Sequence, residues 1–598
     1  MSKYVFDIET DGLLDSVTRI HSLVLYDIGM DTPTSCSDNA EYFSIEAGLD
    51  LLDKADLLIG HNILKFDLQV IDKLYPNLQL YKRKNALDTL LISRLLYPDI
   101  IENDTASYYR SKLGNRMPRS LMGKHSLEAW GHRLKEHKGD YKGDWESWSK
   151  EMQLYCEQDV KTTFSLYKYL MDKKPSQQSV ELEHNFQRVI IQQEKNGFPF
   201  NESKAQELST HLKGKRDVLI AHIKSIIPDK VIEKELIPRS NRPSLGYIKG
   251  VPVVQREVIQ FNPASRTQII KHFQDKGWIP SEFTDKKNPK VDEDILSKLP
   301  YPEAKPIAEL FHVSKVLGYI SEGNKAWLSC SNNGRIHGGV ITNGAVTGRV
   351  THVNPNLGQI PSAGSEIGKL CRELFYAPEP YVMVGCDLSQ IELRLLAHFL
   401  HAYDGGKYVK VVEDGDVHTV NQKAAGLEKR NDAKTFIYAF TYGAGDGKLG
   451  AILAPNAPIA VQRTIGKKLK TTFLKKIPAI DKLISDAKTT FNSRGNLYGL
   501  DGRELRSRKD YSALNALIQG AGAVVAKQWN VSFWEDYHEE VYQLVFVHDE
   551  IQVMCRPEIA DEVGKRLVQK AEEMTAYFDL KCKITAEYKI AKTWAGAH

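Results

Sequence analysis

A polar, proline-containing break, Lys173-Lys174-Pro175-Ser176-Gln177-Gln178, divides the chain into two unequal parts that one continuous helix or strand cannot join. Before it, strands and helical patterns mix from Tyr4 to Lys173. After it, Val180 to Lys195 and Ser203 to Ile227 carry apolar residues at helical spacing, Val218, Ile220 and Ile223 among them, which predicts long paired helices. Strands and helices alternate again from Gly334, through a turn at Thr342-Asn343-Gly344-Ala345 to a closing strand pair around Val547 to Val553. The 598 residues amount to about four domains at roughly 150 residues each. Each part is long enough to bury a core of its own.

Composition narrows the class. With 42% hydrophobic and 26% charged residues, the chain is neither mostly disordered nor collagen-like. The 80 Lys and Arg against 76 Asp and Glu leave a net charge of +4, so any basic surface must be local. No apolar run approaches the ~18 residues of a membrane span, and Met1 to Gly12 is acidic where a secretory leader is cationic and greasy. A soluble protein with no membrane partner, in the cytoplasm, is expected. The cysteines Cys36, Cys156, Cys330, Cys371, Cys386, Cys555 and Cys582 are scattered without C-x-x-C spacing and read as reduced and mostly structural.

Two groups of acids carry chemistry. In the strand-like run Tyr4-Val5-Phe6-Asp7-Ile8-Glu9-Thr10, alternation puts Asp7 and Glu9 on one face. Asp67 ends His61-Asn62-Ile63-Leu64-Lys65-Phe66-Asp67. Asp159 follows Tyr155 by four positions in a helical segment, so the two share a face. Four acids and a tyrosine of this kind can hold two hard cations for phosphodiester hydrolysis. Each acid alone would read as an ordinary surface carboxylate; their order with Y-x-x-x-D raises the signal.

The second group begins where the strand Tyr381 to Cys386 runs into Asp387, ahead of Leu388-Ser389-Gln390-Ile391-Glu392. Leu544 to Val547, His548-Asp549-Glu550, and Ile551 to Met554 read as strand, tight turn and strand. That turn is expected to expose Asp549 and Glu550 at its tip, where they meet Asp387 around a second metal pair. Between them, Arg430, Lys434, Tyr438 and Tyr442 recur every four residues. One helix face then offers phosphate grips followed by a stacking platform. Taken alone, that helix would read as an amphipathic one with its cations in solvent.

These residues carry a family resemblance. VFDIET, HNxxxFD and YxxQD, then NGAVTGR, DLSQIELR, DVHT, RNDAKTFIYAFTYGAG, ALNALIQGAGA and VHDE follow one another in the order of the family A DNA polymerases. The chain most closely resembles the replicative polymerases of T-seven-like short-tailed phages. The resemblance implies an α/β plus α fold, a ribonuclease-H-like 3′→5′ exonuclease joined to a right hand of thumb, palm and fingers. The expected partition is exonuclease 1–175, thumb 176–332 with a short tip insertion 228–256, palm 333–398, fingers 399–510 and palm again 511–598. It also implies the reaction, template-directed addition of dNTPs to a primer 3′ end with proofreading, and the setting, phage DNA replication.

Residue by residue, the resemblance implies exonuclease metal ligands at Asp7, Glu9, Asp67 and Asp159, with Tyr155 beside the scissile phosphate. It implies polymerase metals at Asp387, the Leu388 carbonyl and Asp549, with Glu550 close by, and two Mg2+ in each site. His418, Arg430 and Lys434 match residues gripping the incoming triphosphate, and Glu392 with Tyr438 looks like the pair closing over the sugar. Arg349, Asn515, Gln519 and His548 match contacts to primer or template, and Tyr442 is expected against the DNA. The implied partners are primer-template DNA and dNTPs, with a replicative helicase-primase as a further candidate.

One departure stands out. The phage relatives carry a long basic thumb insertion that clamps host thioredoxin, whereas Pro228 to Arg256 is far shorter, which counts against thioredoxin as a partner. With four prolines and Lys230, Lys234, Arg239, Arg242, Lys249 and Arg256, this stretch reads as a solvated loop or as a basic tip on the DNA backbone. Two other classes compete with a DNA polymerase. A nuclease with an inert platform is opposed by Asp387, Lys434 and Asp549. A single-subunit RNA polymerase is opposed by the four-acid nuclease set and by Glu392.

Overall fold

The computed structural model describes residues 2–110, 116–136, 141–280, 282–284, 286–455, 457–507, 509–537 and 539–598. The first part is a five-stranded sheet in the order Thr32–Ser37, Ile20–Asp27, Lys3–Thr10, Leu57–Gly60, Ala86–Asp88. The first three strands pair antiparallel and the last two join in parallel. Phe6 and Ile8 point to one core with Leu23, Leu25 and Leu58. The alternate residues Val5, Asp7 and Glu9 lie on the other face, which the helix Lys150–Met171 covers with Cys156 and Val160.

The proline-containing break falls between two helices. One ends at Met171, and the next, Gln177–Asn196, is capped by Ser176, whose hydroxyl accepts from the Ser179 amide. Gln177 and Gln178 are therefore already helical. The long helices expected beyond it are Gln177–Asn196 and Glu202–Ile226.

The helix Gln177–Asn196 locks the two parts together with polar contacts. His184 Nε2 accepts from the Asp88 amide at 2.7 Å, and Glu194 takes both Lys65 Nζ at 2.7 Å and the Val340 amide at 2.7 Å. Glu183, almost wholly buried, meets Lys527 Nζ at 2.6 Å and Arg503 Nη1 at 2.8 Å, and Arg503 also forks onto Asp501. Charges taken out of water are tolerable only when every partner is present, so this network fixes one orientation of the helix.

The second part is built on an antiparallel four-stranded sheet in the order Tyr542–Val547, Glu550–Cys555, Val382–Leu388, Ala586–Ala591. The fourth strand, Ala586–Ala591, is a short run, Ala-Glu-Tyr-Lys-Ile-Ala, in which only Ala586 is buried. The helices Ala513–Tyr537 and Ala560–Tyr577 cover one face through Trp529, Leu567, Val384 and Ile551, and Trp529 Nε1–H donates to the Leu567 carbonyl at 2.8 Å. A separate core joins Ile391–Asp404, Val417–Ala425, Arg430–Thr441, Ile459–Lys476 and Pro478–Arg494 around Phe436, Phe440 and Phe473.

The segment 228–256 departs from the loop reading. Lys230–Leu236 pairs antiparallel with Val253–Ile259 in a projecting hairpin. The β-branched residues Val231, Ile232, Val253, Val254, Val258 and Ile259 support strands, and Pro228, Pro238, Pro243 and Pro252 all fall outside the ladder, where a missing N–H costs nothing. Three of its six cations are already paired: Lys234 with Glu257 and Arg256 with Glu233, each at 2.7 Å, and Lys230 with Asp275 at 3.7 Å. All seven cysteines are free. Among the described residues no helix is long and apolar enough to cross a membrane.

Candidate active sites

The first acid group comes together on the central strand of the five-stranded sheet and the helices beside it. Asp7 and Glu9 share the covered face of Lys3–Thr10. Asp67 opens the helix Asp67–Leu74, and its Oδ1 accepts from the Ile8 amide at 3.3 Å, which ties it to the strand. Asp159 is buried on the helix Lys150–Met171, and Tyr155, one turn earlier, is half-buried beside Tyr141 and Trp145. Burial pushes the Asp67 carboxyl up to about 7, with the charges of Asp88 and Asp159 adding to it. A cleft of about 700 Å³ is lined by Asp7, Asp159, His61, Asn62 and Arg94 and, from the second part, by Asn343 and Gly344.

Two residues here escape a reading of the sequence. Asp88 accepts from the Asn62, Leu64 and Leu90 amides and so shapes the turn leading to Asp67. Cys156, next to Tyr155, places its thiol against Asp7.

The second acid group forms across paired strands. Asp387 sits opposite Glu550, and the Leu388 amide donates to the Asp549 carbonyl at 3.0 Å, so Asp387, Leu388 and Asp549 adjoin. Burial raises the Asp387 carboxyl to about 7, helped by the charges of Asp549 and Glu550, and raises Asp549 to about 6 against the pull of Arg349. Carboxylates forced together and desolvated in this way form an oxygen-only donor set whose repulsion a hard divalent cation relieves.

Glu550 corrects the sequence reading. It is not exposed at the turn tip: it begins the strand Glu550–Cys555 and is buried. Trp594 Nε1–H donates to its Oε1 at 2.6 Å, Gln552 Nε2 to the same oxygen at 2.7 Å, and His598 Nδ1 lies 3.0 Å from its Oε2. Despite burial, His598, Arg372 and Trp594 hold its carboxyl below the usual range. Trp594 and His598 lie more than forty residues away, so no local pattern announces them. The turn itself is His548-Asp549, with His548 in the left-handed region at φ +58°.

The helix Arg430–Thr441 presents the expected face. It buries Ala433, Phe436, Ile437 and Phe440, leaving Arg430 and Lys434 exposed and Tyr438 half-buried. Tyr442 lies one residue past its end, as the cap. His418, on the helix Val417–Ala425, stands with its ring 6.3 Å from that of Tyr438 and has a buried Nδ1 with no hydrogen-bond partner. Arg430 is not free: it forks onto Asp416 at 2.8 and 3.0 Å, and Asp416 also caps the His418 helix.

Glu392 is buried and accepts from Arg349 Nη2 at 2.7 Å and from the Tyr442 hydroxyl at 2.8 Å. Among the described residues its carboxylate thus takes Tyr442 and not Tyr438. Tyr438 still lies in the field of Glu392, Asp549 and Asp387, which together with burial raises its hydroxyl. Asn515 and Gln519, four apart on Ala513–Tyr537, are both half-buried, and the Asn515 amide oxygen has no partner.

Comparison with known proteins assigns a family to each part of the chain. The DNA polymerase family A profile matches residues 253–596, and the RNase H superfamily profile matches residues 4–171. The chain is 33% identical to the DNA-directed DNA polymerase of Enterobacteria phage T3 and likewise to that of Escherichia phage T7, covering 99% of this chain and 100% of each relative. DNA polymerase I of Aquifex aeolicus is 25% identical over 97% of the chain and 95% of its own length. The polymerase domain of Pol1 from M. smegmatis, solved with primer-template and dNTP, superposes with a TM-score of 0.73 at 17% identity, covering 99% of this chain and 96% of that one; at that identity it speaks for the fold alone. The chain belongs to DNA polymerase family A and carries an RNase H-like domain at its N-terminal end. Enzymes of both kinds are generally metal dependent.

Proposed function

We propose that this is a phage replicative DNA polymerase with a separate 3′→5′ proofreading site, acting on primer-template DNA and dNTPs in the host cytoplasm. The observation that supports it most is the meeting of Asp387 and Asp549 across paired strands, beside a helix that offers Arg430, Lys434 and Tyr438 in line. In this reading Asp387, the Leu388 carbonyl and Asp549 hold two Mg2+, with Glu550 supporting them. Asp7, Glu9, Asp67 and Asp159 hold two more, with Tyr155 next to the phosphate to be cut. When bound, such a pair activates the attacking oxygen and neutralises the leaving one.

The chain's own residues then bind and orient. Lys434 and Arg430 take the triphosphate by charge, and His418 offers a buried ring nitrogen beside them. Arg349, Asn515, Gln519 and His548 touch primer and template around the terminal pair, and Tyr442 stacks there once its hydroxyl leaves Glu392. Glu392 and Tyr438 close over the sugar and leave no room for a 2′-hydroxyl. The partition into exonuclease 1–175, thumb 176–332, palm 333–398 and 511–598, and fingers 399–510 goes with this reading. A primer-extension assay comparing dNTPs with NTPs tests it: dNTP-dependent extension is expected, and equal use of NTPs would overturn it.

The gate makes a sharper expectation. A nucleotide that lacks its 3′-hydroxyl leaves a polar interaction unmade, and the tyrosine hydroxyl at position 438 can supply it instead. Dideoxynucleotides should therefore be accepted readily, and Tyr438→Phe should restore discrimination against them by a factor on the order of 10–10², since an unpaired buried polar group costs roughly 1–3 kcal/mol. Chain-terminator resistance in the unaltered protein would refute the gate.

The hairpin at 228–256 bears on processivity. Among the described residues Arg239, Arg242 and Lys249 have no acid in ion-pair range, whereas Lys230, Lys234 and Arg256 do. Neutralising Arg239, Arg242 and Lys249 should lower the salt slope of DNA binding by roughly one for each phosphate that is no longer neutralised. Equal slopes would mean the tip touches no phosphate. Added thioredoxin should leave product length under single-turnover trapping unchanged; a several-fold gain would restore it as a partner. A replicative helicase-primase, tested by pull-down, completes the proposed set.

A further inference from the structure

One buried nucleophile has no part in the mechanism above. Cys156 is fully buried on the helix Lys150–Met171, yet its thiol lies against the candidate exonuclease acids, donating toward the Asp7 carbonyl at 3.4 Å with the Asp7 Oδ2 at 3.8 Å. One ligand atom each from Asp7, Glu9 and Cys156 lies within 4.8 Å of the others, the one such grouping of three or more His, Cys, Asp or Glu found among the described residues. The charges of Asp7, Glu9, Asp159 and Asp67 all bear on the thiol, which burial and those charges hold well above its ordinary range. By that geometry the sulfur lies within ligand range of two acids, Asp7 and Glu9, and not only among the apolar side chains of Val5, Val24, Ile59 and Val160.

The spacing suits a particular kind of ion. A tetrahedral zinc-like cation with a sulfur bond of about 2.3 Å and an oxygen bond of about 2.0 Å separates those two ligand atoms by about 3.5 Å. The observed 3.8 Å between Cys156 Sγ and Asp7 Oδ2 needs only a small adjustment. Hard octahedral cations prefer oxygen and have no use for the sulfur, whereas thiolate draws zinc and cadmium.

We propose that Asp7, Glu9 and Cys156 form a binding site for a thiophilic divalent cation, and that its occupation stops the exonuclease by taking the two acids from the hard cations. The second half of this statement rests on the proofreading reading of those acids; the first does not. On binding, a metal–sulfur bond replaces the S–H bond and the proton leaves to water, with no redox change.

The full-length protein is titrated with Cd2+ and followed by its ultraviolet sulfur-to-cadmium charge-transfer band. The unaltered chain should show one thiolate increment more than Cys156→Ala. Cys156→Ser, which changes a single atom, repeats the comparison in case the alanine variant folds poorly, and far-ultraviolet circular dichroism checks both. In fixed Mg2+, with each protein normalised to its own zinc-free rate, the Zn2+ concentration that halves mismatch removal should rise at least tenfold in both variants. A band that persists undiminished in the variants overturns the metal site, and equal zinc midpoints overturn its link to the nuclease. A Cys156-dependent band alongside excision that zinc never affects upholds the metal site and counts against the nuclease assignment instead.

Discussion

Asp387→Asn or Asp549→Asn should abolish primer extension while leaving mismatch removal close to normal. Asparagine keeps the size of aspartate and removes its charge, so the paired strands and the 3.0 Å bond from the Leu388 amide to the Asp549 carbonyl have no reason to change. What disappears is one of two adjoining carboxylates that burial and neighbouring acidic charges have pushed up to about 7 and 6. Metal stabilisation of an in-line displacement is worth several kcal/mol, and a loss of roughly 5 kcal/mol slows the step by close to 10⁴. Single-turnover extension of a matched primer measures that step, and digestion of a mismatched end in the same preparation reports the fold. Near-normal extension by either variant would remove these residues from the polymerase site.

The double replacement Asp7→Ala, Glu9→Ala should do the reverse, with excision of a mismatched 3′ end falling by a comparable factor and matched extension unchanged. The physical ground is separation. The two acid groups lie on different sheets, with different cores and with the helix Gln177–Asn196 between the parts. Losing Asp7 and Glu9 removes charge from a desolvated cluster, and the separate sheet that holds Asp387 does not sense it. Loss of both activities together would point to one shared site or to misfolding, and the melting temperature separates the two. Retained excision would mean that these acids hold no catalytic metal.

Local pattern is enough wherever neighbours in sequence are also neighbours in space. Alternation in Lys3–Thr10 places Asp7 and Glu9 on one face, and the four-residue step places Arg430, Lys434 and Tyr438 on one helix face, because strand and helix geometry act over a few residues. It fails for Glu550, expected at an exposed tip. Its burial depends on Trp594, Gln552 and His598, and two of these arrive from a strand and tail whose place beside Val382–Leu388 only the folded sheet settles. It fails in another way at 228–256, where prolines and cations suggest a loop although the pairing of distant β-branched runs makes a hairpin.

By itself, then, the order of residues singled out the side chains proposed to carry the chemistry and determined which family the chain belongs to, since motif composition and spacing survive without coordinates. Tertiary structure alone decided what those side chains are doing at rest. Arg430 is bound to Asp416, Glu392 to Arg349 and Tyr442, and a cysteine that reads in sequence as mere packing stands against Asp7 and Glu9. Each of these is an interaction between elements far apart in the chain, made when separate apolar faces bury against one another, and burial is also what shifts the acids' proton affinities.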